Sequence, residues 1–397
     1  MTGADSTNSK PQPRRCACCG EPAEAESDLC EVCATEIDTA QRIEAPDENL
    51  EADHPPPIPK LIDLEAAPGV LSEANGLTRV DWDRVQDHLR KHFVESDVNA
   101  GWMEAERQWL HLLKADLGGS YRMRESRKFM LLSDYPSSRK RAALEFCEVV
   151  WSFLAARLPD IVWTEGDWKT PVLIFSDLDD YYAYVLHFYP DGKSAASAGM
   201  CISRGAVHVV GAATEGRIAQ SVLAHELSHA AVTHLPLPVW LNEGIAQAVE
   251  RDAGGAHTPL VDGDLSTRHH AYWNAERIQE FWAGASFYES GEPIAMSYNL
   301  AAILTQLAAV SAEQFSAFVQ TAHYSDAGQT AALDHLGRSL EEIAVEFLGP
   351  GDWRPNRKSI AEIIRQQREQ YGSKEQPSEG ENRPTSSSET DSADRAD

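Results

Sequence analysis

The sequence predicts an α+β protein in which strands and helices mix in the first part and helices dominate the last part. Two patterns support this class. Short apolar runs near residues 130, 174 and 209 are typical of strands, and four short helical patterns follow one another from Tyr298 onward. With 397 residues, of which 42% are hydrophobic, the chain is long enough to bury a sizeable core.

The folded region is expected to begin near residue 79, where apolar residues first recur at helical spacing. These residues are Trp82, Val85, Leu89 and Phe93. A second helical pattern ends at two glycines, 118 and 119. Strands are predicted at 128–134, 171–177 and 206–212, with a helix between the first two and another beginning near Glu215. Cys147 and Cys201 lie in apolar surroundings, so we expect them in the core.

The segments outside this region differ from it in composition. Residues 1–15 are polar, and residues 372–397 form an acidic tail of low complexity, so both are expected to be disordered. Residues 34–78 are acidic and contain prolines, which predicts a linker. Residues 79–371 are interpreted as one domain.

The charge of the chain limits its partners. Its formal net charge is -27, from 62 acidic and 35 basic residues, which disfavours nucleic acid and anionic membranes as partners. The sequence contains no run of about 18 apolar residues that could span a membrane. Its first 15 residues lack the apolar core of a secretory signal. These features predict a cytoplasmic protein with neither nucleic-acid nor membrane partners.

Five of the seven cysteines fall within residues 16–33. Four of them form two Cys-x₂-Cys pairs: Cys16, Cys19, Cys30 and Cys33. Cysteines in a cytoplasmic protein stay reduced, and four thiolates complete a tetrahedral zinc site, so a structural Zn²⁺ is expected here. Cys18 is a fifth thiol that could replace Cys16 or Cys19. The segment resembles the small zinc ribbons that bacterial proteins append for docking, which implies a possible protein partner.

The stretch HELSHAAVTHLPLPVWLNEGIAQAVE, residues 225–250, contains the residues best suited to chemistry. On a helix, His225 and His229 lie on one face and can point two imidazoles at one metal ion. Glu226 lies about 100° round the helix from His225, where it can reach water at the metal without binding the metal itself. An ordinary amphipathic helix can carry the same residues, so this short pattern alone is a weak signal.

The residues that follow strengthen the metal interpretation. A catalytic zinc ion takes a third protein ligand and keeps one position open. Pro236 and Pro238 interrupt the helix, which allows a second helix to fold back and bring Glu243 to the same ion. Gln247, one turn beyond Glu243, either orients a ligand from outside or faces solvent.

This stretch resembles the gluzincin metallopeptidases. WLNEGIA is similar to a segment of the zinc aminopeptidases in which the glutamate is the third ligand. The short spacing from His229 to Glu243 looks more like the bacterial peptidase-MA-like families. The chain lacks the GAMEN strand with which the aminopeptidases hold a substrate amine, so aminopeptidase specificity is not supported.

The resemblance, which extends from about residue 121 to residue 349, implies a zincin-like (thermolysin-like) fold with a small mixed sheet, an active-site helix and a helical C-terminal half. In such a fold the strand at 206–212 would be the edge strand beside the cleft. The implied activity is peptide-bond hydrolysis by zinc-activated water, with Glu226 as general base. Tyr298 is the first candidate for stabilising the oxyanion, with His323 and Tyr324 as alternatives.

Three functions remain open at this stage. The first is a zinc metallopeptidase that acts on a peptide or protein substrate. The second is a catalytically inactive, zincin-like peptide-binding protein, although an intact Glu226 counts against it. The third is an adaptor that docks a protein partner through its zinc ribbon.

Overall fold

The computed structural model describes residues 62–162, 168–189, 198–213, 220–253 and 263–371. The expected zinc ribbon, with Cys16, Cys19, Cys30 and Cys33, lies outside the described residues. The same holds for residues 1–15, for most of the expected linker, and for the acidic tail at 372–397. What the sequence suggests for these segments stays a prediction.

The folded part begins earlier than the boundary expected at residue 79. Ile62 and Leu64 are buried in the core, so residues 62–78 belong to the folded domain rather than to a linker. The acidic, proline-containing composition of the longer segment 34–78 conceals these well-placed apolar side chains.

A hairpin follows within the same segment. Strands β1 (Leu71–Ala74) and β2 (Leu77–Val80) pair antiparallel. Asn75 and Gly76 connect them with φ angles of 55° and 75°. Two positive φ angles match the right-handed twist of a hairpin, and Asn-Gly adopts them at little cost.

A five-stranded mixed sheet forms the centre of the domain. Its strands are β3 (Arg122–Glu125), β4 (Phe129–Ser133), β5 (Thr170–Phe175), β6 (Gly199–Ile202) and β7 (His208–Ala212). Their order across the sheet is β3-β4-β5-β7-β6. The three strands expected from the sequence are the central, parallel ones, and β3 and β6 run antiparallel at the two edges.

The position of β7 corrects one expectation. The strand predicted at 206–212 was expected at the edge of the sheet, but β7 lies between β5 and β6. The edge strand is β6, which has only four residues, two of them only half-buried. So short a strand gives little periodic signal in the sequence.

Helices make up most of the remaining described residues. They are α1 (Trp82–His92), α2 (Glu95–Leu117), α3 (Ser137–Arg157), α4 (Leu178–Phe188), α5 (Gln220–Val232), α6 (Val239–Ala253), α7 (Gly263–Tyr272), α8 (Arg277–Trp282), α9 (Glu292–Ala308), α10 (Ala312–Thr321), α11 (Leu340–Leu348) and α12 (Arg357–Tyr371). Short 3₁₀ and π-helical turns lie between some of them. The α+β class is therefore confirmed. Within the described ranges, no helix has both the length and the apolar character needed to cross a bilayer.

The sheet separates two hydrophobic cores. Phe129 and Leu131 face the core that contains α3, α5, α6 and the C-terminal helices. Met130 and Leu132, which alternate with them along β4, face the core that contains α1, α2 and α4. Cys147 is buried in the first core, as expected, and Cys201 is half-buried against it.

Candidate metal centre

Two helices bring the expected metal ligands together. His225 and His229 lie one turn apart on α5, and Glu243 lies in the first turns of α6. Their potential ligand atoms all lie within 4.8 Å of one another. This is the one group of three or more such side chains among the described residues.

The distances within this group suit a small cation. Oε2 of Glu243 lies 3.5 Å from Nε2 of His225 and 3.6 Å from Nε2 of His229. Ligand atoms that surround zinc tetrahedrally are separated by about 3.4 Å, given metal–ligand bonds of about 2.0–2.1 Å. Oε2 of Glu243 is buried and, within the described residues, has no hydrogen-bond partner. A buried carboxylate oxygen that faces two imidazole nitrogens is well suited to bind a metal ion.

Each histidine is held in place through its other ring nitrogen. Nδ1 of His225 lies 3.0 Å from Oε2 of Glu250, and Nδ1 of His229 lies 2.9 Å from Oδ1 of Asn242. Both partners are acceptors, so each Nδ1 donates its hydrogen. Nε2 of each ring is therefore the nitrogen that faces Glu243, where it can take up a proton or bind a metal ion.

Reasoning from sequence missed both of these outer partners. Asn242 directly precedes Glu243, and Glu250 follows it by seven residues, which is two helical turns and so the same face of α6. That spacing was the available signal. The roles of Asn242 and Glu250 could not be predicted from this spacing without knowing which face of α6 packs against α5.

Gln247 acts one step further from the metal ligands. Its Nε2 donates to Oε2 of Glu250 at 3.1 Å. Glu250 in turn accepts from His225, so Gln247 orients the partner of a ligand and not the ligand itself. Of the two alternatives that the sequence left open, this contact agrees with orientation from outside, exerted through Glu250.

The electrostatics of the group favour a positive charge at its centre. Burial alone would lower the pKa of His225, but the carboxylates of Glu243 and Glu250 raise it to about 10. Burial raises the pKa of Glu243, but the two histidines outweigh burial and hold the pKa below its usual value. Without a metal, a proton on His225 supplies this charge, and a divalent cation can replace that proton.

Glu226 lies beside the three ligands and outside their group. Its side chain is almost fully buried, and its Oε2 accepts a hydrogen bond of 2.7 Å from the backbone N–H of Cys201 on the edge strand. Burial raises the pKa of Glu226, although the neighbouring imidazoles and the Cys201 N–H act in the opposite direction. A raised carboxyl pKa suits a general base that works near neutral pH.

Of the three oxyanion candidates, Tyr298 is the one whose hydroxyl lies near Glu243. It lies on α9, and its ring packs against Phe287 with 5.4 Å between centroids. Burial and then the charge of Glu243 raise the pKa of its hydroxyl, which keeps the hydroxyl protonated as a donor. The ring of His323 is exposed and instead bonds the Ser325 hydroxyl at 2.8 Å.

A glycine allows α9 to approach this closely. A Cβ atom at Gly244 would lie 2.0 Å from Oγ1 of Thr305 and 2.6 Å from the carbonyl oxygen of Ala301, both on α9. These distances are far below contact, so only glycine fits beside Glu243. The same close packing brings Tyr298 to Glu243.

A scan against protein-family models gives no match for this sequence, and a search of curated proteins gives none either. The interpretation of the site therefore depends on its residues and their geometry.

Proposed function

We propose that this chain is a zinc-dependent metallopeptidase of the gluzincin type, in which Glu226 is the general base. One observation carries the proposal. His225, His229 and Glu243 converge, with a buried carboxylate oxygen facing two imidazole nitrogens, while Glu226 stands next to them and outside the ligand set.

The donor set agrees with zinc more than with magnesium or calcium. Two imidazoles and one carboxylate match a known ligand set of catalytic zinc, whereas magnesium and calcium prefer oxygen ligands. All three side chains are about 15% exposed, so the centre is enclosed but not fully shut off from solvent. That access is what a catalytic site requires.

The architecture supports a zincin-like, thermolysin-like domain as the finer form of the α+β class. A small mixed sheet ends in an antiparallel edge strand, and α5 packs against that strand and against β7. The helices that follow α6 form the second half of the domain. A peptide substrate would enter between β6 and the ligand group.

A zinc ion held by these ligands would activate water and polarise a peptide carbonyl group. Proton transfer, orientation of the histidine rings and stabilisation of charge are assigned to side chains of this chain. Glu226 accepts the proton of the attacking water and returns it to the leaving amine, a role typically worth about 10²–10⁴ in rate. Glu250 and Asn242 fix the ring orientation of the two histidines. The protonated hydroxyl of Tyr298, near Glu243, would stabilise developing negative charge on the substrate.

The division of roles between the two glutamates tests the proposal. Glu226→Gln should retain zinc and lose peptide hydrolysis by about 10² or more, because an amide does not accept the proton. Glu243→Gln should lose zinc on mild chelation, because a neutral amide replaces a charged ligand. Zinc stoichiometry and hydrolysis of a peptide pool measure both effects. If Glu226→Gln lost the metal and Glu243→Gln kept it, the assigned roles would be reversed.

A further inference from the structure

The edge strand contacts the proposed general base through its backbone. The carbonyl oxygen of Ala198 accepts from the backbone N–H of Ala212, so residues 198, 200 and 202 make the ladder bonds to β7. Cys201, opposite Val209, belongs to the alternate set, whose N–H groups point away from β7. That N–H donates to Oε2 of Glu226 at 2.7 Å.

The close approach of strand and helix depends on Gly199. A Cβ atom at this position would lie 2.4 Å from Cγ1 of Val222 and 3.1 Å from Cγ of Glu226. Positions 199 and 201 lie on the same face of β6, the face toward α5. Any side chain at 199 would therefore push α5 away from the strand and lengthen the contact between Glu226 and Cys201.

We infer that the backbone N–H of Cys201 positions Glu226 for proton transfer, and that Gly199 makes this contact possible. The inference rests on the proposed function. A carboxylate on a flexible side chain can rotate away from the reacting water, and a fixed donor on one oxygen restricts that rotation. Misplacing a reacting group by about 1 Å can cost about 10² in rate.

The inference can be tested by removing the N–H and keeping the strand. Cys201→Pro lacks the N–H, and proline is tolerated at an edge strand where that group is not part of the ladder. Cys201→Ala is the matched reference, because it changes the side chain and retains the N–H. We expect kcat of Cys201→Pro to be about 10² below that of Cys201→Ala, with similar KM and zinc content. Values of kcat within about twofold would overturn the inference.

A second pair of variants does not depend on proline. Gly199→Ala should lower kcat because its methyl group meets Val222. Adding Val222→Ala should restore much of the loss, because it removes the atom that would lie nearest to the new methyl group. A loss that Val222→Ala leaves unchanged would count against the proposed role of Gly199.

Amide hydrogen exchange tests the contact without any need for turnover. The Cys201 N–H should be protected in the wild-type chain and lose protection in Glu226→Ala, which has no acceptor. Equal exchange in the two proteins would overturn the contact. If the wild-type chain hydrolysed no peptide, the proposed function would fail, and exchange would still decide whether Cys201 holds Glu226.

Discussion

Histidines that are buried or half-buried occur on both faces of the central sheet, and their ring nitrogens are used in different ways. On one face, His208 is fully enclosed, with Nδ1 2.7 Å from the carbonyl oxygen of Ala206 and Nε2 2.8 Å from the Tyr184 hydroxyl. On the other face, His225 and His229 use only Nδ1 for protein hydrogen bonds and direct Nε2 toward Glu243. A histidine with both nitrogens hydrogen-bonded to protein is structural, whereas one whose Nε2 is turned toward a buried carboxylate can bind a metal.

The largest expected effect separates the two kinds of histidine. His229→Ala removes a ligand, so zinc should be lost from this centre and hydrolysis should fall by more than about 10². His208→Gln should leave zinc bound, because no ligand changes. It should reduce the free energy of unfolding by about 2 kcal/mol through unpaired buried groups. Elemental analysis and thermal unfolding measure the two outcomes, and zinc loss in His208→Gln would break the distinction.

The outer partners of the ligands should have the next largest effect. Glu250→Ala and Asn242→Ala each free one imidazole to rotate, and loss of such a partner lowers metal affinity by about 10- to 100-fold. Gln247→Ala is the control, because Gln247 contacts Glu250 and no ligand, so its effect should be smaller. Competition with a zinc chelator gives the affinities. Equal affinities for all three variants would show that these bonds do not orient the ligands.

His208 should make the free energy of unfolding depend on pH in the acid range. Burial lowers the pKa of His208 to about 4, against 6.5 for an exposed histidine. Between these values the unfolded chain binds a proton and the folded chain does not. The stabilising contribution is therefore complete above about pH 6.5 and is lost as the pH falls toward 4, by up to about 1.4 kcal/mol per pH unit. Denaturant unfolding at several pH values should show a shallower dependence for His208→Gln, and an unchanged slope would contradict it.

The smallest effect concerns the partner of His208. Tyr184→Phe removes the hydroxyl that bonds Nε2 of His208 and leaves that nitrogen without its donor. The expected loss of stability is about 1 kcal/mol, with zinc content unchanged. Chemical denaturation and metal analysis check the two parts. A change in zinc content would mean that the two faces of the sheet are more closely coupled than their contacts suggest.

The site was predictable to the extent that it depends on local spacing. The helical period places His225 and His229 on one face, and the prolines after the first helix allow Glu243 to return to it. Their convergence in the structure agrees with that expectation. Asn242 and Glu250 were not predictable, because their roles depend on how α5 and α6 pack. Tyr184 and His208 are 24 residues apart, and no local pattern connects them.

In the fold as well, elements set by local sequence were predictable, and elements set by contacts between distant segments were not. The long apolar strands β4, β5 and β7 follow from their sequence, whereas the four-residue strand β6 does not. Its place at the edge depends on pairing with β7, which is a contact between segments. The hairpin before α1 carried an Asn-Gly signal, but the acidic composition around it favoured a linker.

Zinc-dependent hydrolysis by the wild-type chain tests the central claim most directly. The measurement is cleavage of a broad peptide pool by the zinc-loaded protein, before and after chelation and again after zinc is returned. The account predicts cleavage that chelation abolishes and zinc restores, and that is absent in Glu226→Gln at every stage. A chain that holds zinc through His225, His229 and Glu243 and leaves every peptide intact would contradict it and would favour a peptide-binding role.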